Sequence, residues 1–139
     1  MKRFIQFLCA MALVGSAAAP LHAAEPLWAP IAEKIGQALA AGETLYQAGD
    51  AEAAQKKVQG VYFGVFEAEK MEAAMRQALG NAHTDAVEKE FAAIRKAMKN
   101  KAKPEAVAGM VEKLVATLRQ DARQLDADGV ARPVEKPKK

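Results

Sequence analysis

Four side chains in this sequence are candidates to hold a hard metal cation together: the carboxylates of Glu67, Glu72 and Glu43, and the phenol of Tyr46. Hard cations take oxygen ligands, and helical bundles supply them from acids that project inward from facing helices. Glu67 and Glu72 are five positions apart in the chain. That spacing is about 140° round a continuous helix at roughly 100° per residue, so the two converge only where the chain breaks near Glu69-Lys70. Glu43 and Tyr46 are separated by one turn and share a helix face, and a short hairpin brings that face towards the next helix. The competing reading is that Glu67 hydrogen-bonds across the hairpin while Glu72 is solvated, because charged helix residues mostly lie on the surface.

Other chemistry finds less to work with. His83 sits in a stretch that reads as a loop before a helix cap, either exposed to solvent or completing a metal site. The chain has no Glu-x-x-His, which argues against a buried di-iron oxidase centre. Met71 and Met75 are one turn apart and, with Met98 and Met110, read as packing rather than as soft-metal ligands. Nothing in the spacing promotes haem ligation. Arg95, Lys96, Lys99 and Lys101 form a solvated face or a patch for an anionic partner. The one cysteine, Cys9, lies in the N-terminal apolar run, and neither a Gly-x-Ser-x-Gly nor a glycine-rich phosphate loop occurs. The reading is non-enzymatic.

The elements that must position these residues are helical. Apolar residues recur at steps of three and four over 31–47, and Gly49 and Asp50 read as the end of that helix and the cap of the next. A second helix over 51–68 carries Ala54, Val58, Val61, Tyr62, Val65 and Phe66 on its buried stripe, with Gly60 and Gly64 as weak points that close packing or simple tolerance explains. A short segment built on Met71, Met75 and Leu79 follows. Thr84 then caps a third helix carrying Val87, Phe91, Ile94 and Met98. Pro104 opens a fourth over 104–127, roughly 36 Å long at 1.5 Å per residue. No alternating β-branched run is long enough for a sheet. The expected fold is all-α: an up-down four-helix bundle with a short extra helical segment between helices two and three, its core including Leu39, Tyr62, Phe66, Phe91, Ile94, Leu114 and Leu118. Trp28, in a proline-rich leader, is expected to fold back onto the body.

Tyr46-Gln47-Ala48-Gly49-Asp50, then Val58 to Tyr62-Phe63, Phe66-Glu67 and Met71-Glu72-Ala73-Ala74, resembles the extracytoplasmic N-terminal domain of bacterial high-affinity iron permeases. The resemblance runs from about Ile35 to Leu118. The chain lacks the membrane-spanning part of such permeases, and Ala68-Glu69-Lys70 stands where that family often has a glycine-containing break. The resemblance implies iron as the bound metal, with Glu67 and Glu72 as first ligands, Glu43 third and Tyr46 weaker. It implies an iron-uptake accessory role, with a membrane iron permease or another iron-uptake component as partner. The alternative class is a metal-free structural or protein-interaction bundle.

The two ends set the compartment and the charge. Lys2 and Arg3, the apolar run from Phe4 to Val14 and the small residues up to Ala23 lay out a secretory signal peptide over 1–23, and hence a periplasmic protein. The run is too short to span a bilayer, and no later stretch is apolar enough. The formal charge of +3 comes from the signal segment and from the four bases among the last eight residues, so the body between the ends is net negative. That offers nothing for nucleic acid, which needs a basic face on the folded body. The bundle domain is expected over 24–129, and residues 130–139 read as a disordered basic tail whose removal leaves the fold intact.

Overall fold

A computed structural model describes residues 25–134; the segment read as a signal peptide and the last five residues lie outside it. The described chain is all-helical, with α1 (Ala29–Gln47), α2 (Ala51–Val61), a π-helical segment (Tyr62–Glu67), α3 (Met71–Ala78), α4 (Asn81–Lys99) and α5 (Pro104–Ala127). α1 packs chiefly against α2 and α5, and α4 bridges α2 and α5 on the other side. One hydrophobic core runs through all of them, from Trp28 and Ile35 to Leu118 and Leu125.

The stripes read from the sequence are the buried faces. Leu39, Phe66, Phe91, Ile94, Leu114 and Leu118 are buried, as are Met71, Met75 and Met98, while Tyr62 and Met110 are half-buried. Gly49 ends α1 at φ 91°, and the Asp50 carboxylate caps α2 by accepting from Ala53 N at 2.9 Å. α1 has no side-chain cap of its own. Asp126, near the end of α5, provides it instead: its Oδ1 accepts from Leu27 N and Trp28 N at 2.8 Å each, and its Oδ2 from Ala29 N at 2.9 Å. The donors of an opening helical turn are thus satisfied by a carboxylate about a hundred residues away in sequence, where the helix dipole also favours negative charge.

Three expectations are corrected. The helix after α2 does not stay α-helical to residue 68; it widens into a π-helix at Tyr62, with Ala68 N bonding back to Phe63 O at 3.2 Å. The third long helix begins at Asn81, not at Thr84, and Thr84 is a buried residue within it whose Oγ1 donates to Gly80 O. The chain beyond Gly129 is not a free tail throughout. Val130 O accepts the indole N–H of the fully buried Trp28 at 2.7 Å, and Arg132 donates to Glu69 Oε2 at 2.8 Å. Lys34 holds the other oxygen of Glu69 at 2.9 Å, and these two hydrogen bonds keep the Glu69 carboxyl below its ordinary value. The sequence offered no apolar stripe there because the docking uses one apolar side chain, Val130, with its backbone carbonyl and the Arg132 guanidinium.

Close packing of helices falls on Gly36 and Gly42, where an added Cβ would stand 3.2 Å from Val115 and 3.4 Å from Val58. Gly60 and Gly64 have nothing within 4 Å, so tolerance explains them. Gly60→Ala should therefore stabilise the fold by about 1 kcal/mol, the helix-propensity difference. Chemical denaturation would show this as a higher midpoint at an unchanged slope; a lower midpoint would mean that the position has a packing role.

Candidate functional site

The π-helix and the break after it create the most chemically loaded corner of the molecule. Tyr62, Phe63 and Phe66 meet Phe91 of α4 in one aromatic cluster, with Tyr62 edge-on to Phe91 at 5.4 Å and Phe66 tilted against it at 5.4 Å. The wide π turn carries Phe66 into the core and leaves Phe63 52% exposed. The chain then turns through Lys70, whose φ of 66° is a left-handed conformation that glycine takes most easily. The break expected near Glu69-Lys70 is there, made without a glycine.

Acids lie on both sides of that break, Glu67 before it and Glu72 after it. Burial pushes the Tyr62 phenol well above its ordinary range, and the charges of Glu88, Glu67 and Glu72 push it further, with a hydrogen bond to Glu67 acting in the same direction. Tyr62 is therefore a neutral hydrogen-bond donor among acids. Arg76 ties the acids together. Its Nε donates to Glu72 Oε1 at 2.8 Å, its Nη1 to Asp85 Oδ1 at 2.7 Å, and its Nη2 to Glu88 Oε1. A guanidinium fork suits this geometry because it presents donors in fixed planar directions. The hydrogen bonds it donates to Glu72 and then to Asp85 hold it firmly protonated.

The four predicted ligands are not one site. A Cβ on Gly42 would touch Val58, so Glu43 stands near the level of Val58 on α2, and Glu67 lies nine positions beyond Val58 in the chain. That separation is on the order of 10 Å, too far for two carboxylates to share an ion with oxygen contacts of about 2–2.6 Å. Glu43 instead accepts from Gln47 Nε2 at 2.8 Å, one turn along α1. Tyr46 lies nearer still to the opposite end, where its buried hydroxyl donates to Ala102 O at 2.6 Å and anchors the turn between α4 and α5. Glu67 and Glu72 do flank the Lys70 break, and the charges of both act on Tyr62, to which Glu67 is also hydrogen-bonded.

The donor types at this corner suit a hard cation, but the arrangement as it stands is built around Arg76. Among the described residues no group of three His, Cys, Asp or Glu side chains is placed to hold a metal ion. Sequence reasoning missed Arg76, Asp85 and Glu88. The Glu72–Arg76 spacing of one turn was a visible pairing signal, whereas the approach of α4 to α3 depends on the Gly80 turn.

His83 is not in a loop. It lies in the first turn of α4, and its Nε2 stands 2.9 and 2.8 Å from the two oxygens of Asp121 on α5. Burial raises the Asp121 carboxyl above its ordinary value, and the hydrogen bond to His83 opposes that shift. The pair borders a cavity of about 290 Å³ with Leu79, Gln120 and Gln124. An oriented imidazole is half of a general base, but the lining offers it no nucleophile to activate. We read it as a clamp between α4 and α5.

Comparison with known protein families, with curated proteins and with solved structures finds no match for this chain. No described helix is long and apolar enough to cross a membrane.

Proposed function

We propose that this protein is a non-enzymatic, periplasmic iron-uptake accessory: an up-down four-helix bundle, with α3 as its extra segment, that offers carboxylates to iron at the π-helix corner and works beside a membrane iron permease or another iron-uptake component. The resemblance of residues 35–118 to the extracytoplasmic domain of iron permeases supplies the metal and the partner. The observation that supports the site is the left-handed turn at Lys70 between Glu67 and Glu72, two acids whose charges both act on the Tyr62 phenol. Glu43 and Tyr46 drop out of the ligand set because of where they stand. Arg76 then has a definite role: it is the resident cation paired with Glu72, Asp85 and Glu88, and iron competes with it for Glu72.

That role separates this reading from simple surface acidity. Arg76→Gln removes the competing charge and should tighten iron binding, whereas Glu67→Gln and Glu72→Gln should each weaken it about tenfold or more. Affinity should also fall as pH drops towards the glutamate range near about 4, since the ligands must be deprotonated. Calorimetric titration of the purified protein with ferrous and ferric iron reads all of these. Equal binding by every variant, or none by any, sinks the iron reading.

A second reading, a metal-free protein-interaction bundle, is favoured by the exposure of Phe63 beside this acidic corner. A flat titration would leave that reading in place.

A further inference from the structure

The geometry points to an anion site at the opposite end of α4 from the carboxylate corner, built by Arg95, Lys96 and Lys99 with Gln55 and Asn100, that takes a compact polyvalent oxyanion of the phosphate type. These five residues and Ala92 line a single cavity of about 430 Å³ between α2 and the last turns of α4. Some basic residues of this fold are engaged by acids: Lys34, Lys56, Arg76, Lys113, Arg119 and Arg132 all make ion pairs. Arg95, Lys96 and Lys99 make none among the described residues. Three unpaired cations converging on one concavity repel one another, and a bound anion relieves that repulsion.

Two further observations separate this from an ordinary solvated face. Lysines in a last helical turn commonly serve its free carbonyls, but here the backbone does so. Asn100 N donates to Lys96 O at 2.9 Å, Lys101 N to Met98 O at 3.1 Å, and Ala102 N to Ala97 O at 3.0 Å. The ammonium groups are left for something else. Arg95 is half-buried, and its Nε is shut away from solvent with no hydrogen-bond partner. It also borders the smaller cavity beside Tyr62, Phe63 and Glu88, but Glu88 is held by Arg76. A guanidinium partly withdrawn from water and left unpaired is unfavourable until an acceptor arrives.

The chemistry of the lining selects the ligand. The arginine fork matches two oxygens of a tetrahedral oxyanion, the lysines add point charge, and the carboxamides of Gln55 and Asn100 can donate to the remaining oxygens. The dipole of α4 opposes an anion at this end, so binding rests on the side chains. Phosphate chemistry of this kind comes either as a free ion or as a lipid headgroup.

The test titrates the purified protein with inorganic phosphate by calorimetry and, separately, co-sediments it with phosphatidylcholine vesicles containing phosphatidic acid. The double variant Arg95→Gln/Lys99→Gln should weaken binding at least about tenfold, in line with the loss of two phosphate contacts. Arg123→Gln, a solvent-exposed change on α5, should leave it unaltered. Binding of phosphate in solution assigns a free ion, and binding to vesicles alone assigns a headgroup; both support the site. Lys96→Gln, at an exposed position, keeps the comparison readable if the double variant loses helical signal. Binding to neither probe, or equal weakening by Arg123→Gln, overturns the inference.

Discussion

Phe66→Ala should lower the stability of the protein by about 3–5 kcal/mol and its melting temperature by about 10 °C or more. Phe66 is fully buried and is the residue through which the π-helix reaches the core. Its ring stacks at a tilt on Phe91 and lies 5.8 Å from Tyr62, so truncation empties a site walled by rings that cannot collapse into it. Phe63→Ala, three positions earlier in the same π-helical segment and 52% exposed, should change stability by well under 1 kcal/mol. Thermal unfolding followed by circular dichroism compares the two. Equal effects would mean that the π turn does not divide these rings between core and solvent.

Asp126→Ala should cost about 2–4 kcal/mol, more than an ordinary helix cap, because one charged group accepts three backbone hydrogen bonds. Asp126→Asn keeps one acceptor oxygen but turns an amide towards a backbone donor, so it should fall between wild type and alanine. Ending the chain at Gly129 should also destabilise it, by about 1–3 kcal/mol, since the buried Trp28 indole loses its acceptor at Val130 and Glu69 loses Arg132. Urea unfolding of the three variants checks the order. An Asp126→Ala protein as stable as wild type would show that water replaces the carboxylate without penalty.

What the sequence made legible was whatever repeats every three or four residues. The stripes of α1, α4 and α5 announce themselves through residues such as Ile35, Phe91 and Leu114, and Gly49-Asp50 marks a turn through local chemistry alone. The π-helix was not legible, because Tyr62 and Phe66 also fit the ordinary helical period of 3.6. The helix break at Lys70 was visible only as a requirement, since Lys70 itself is an unfavourable residue for a left-handed conformation. The candidate site was half legible: Glu67 and Glu72 were found, but Glu43 and Tyr46 were joined to them because they share a helix face. Which end of a bundle a residue occupies is set by the hairpin register, and Tyr46 belongs with Ala102 at the far end. Contacts across long separations, such as Asp126 with Leu27 and His83 with Asp121, have no local signal.

The Asp126 clasp also sets a timetable. Residues 27–29 find their acceptor only when a residue 97 to 99 positions later arrives. Until then the opening turn of α1 is served by water, and a lone helix of 19 residues is barely stable by itself. As the chain is made, the first helix is therefore the last to be finished, and a polypeptide that stops short of Asp126 stays open at the end where it began. The clasp thus joins the two ends of the described bundle, and contacts made only by its central helices do not depend on it.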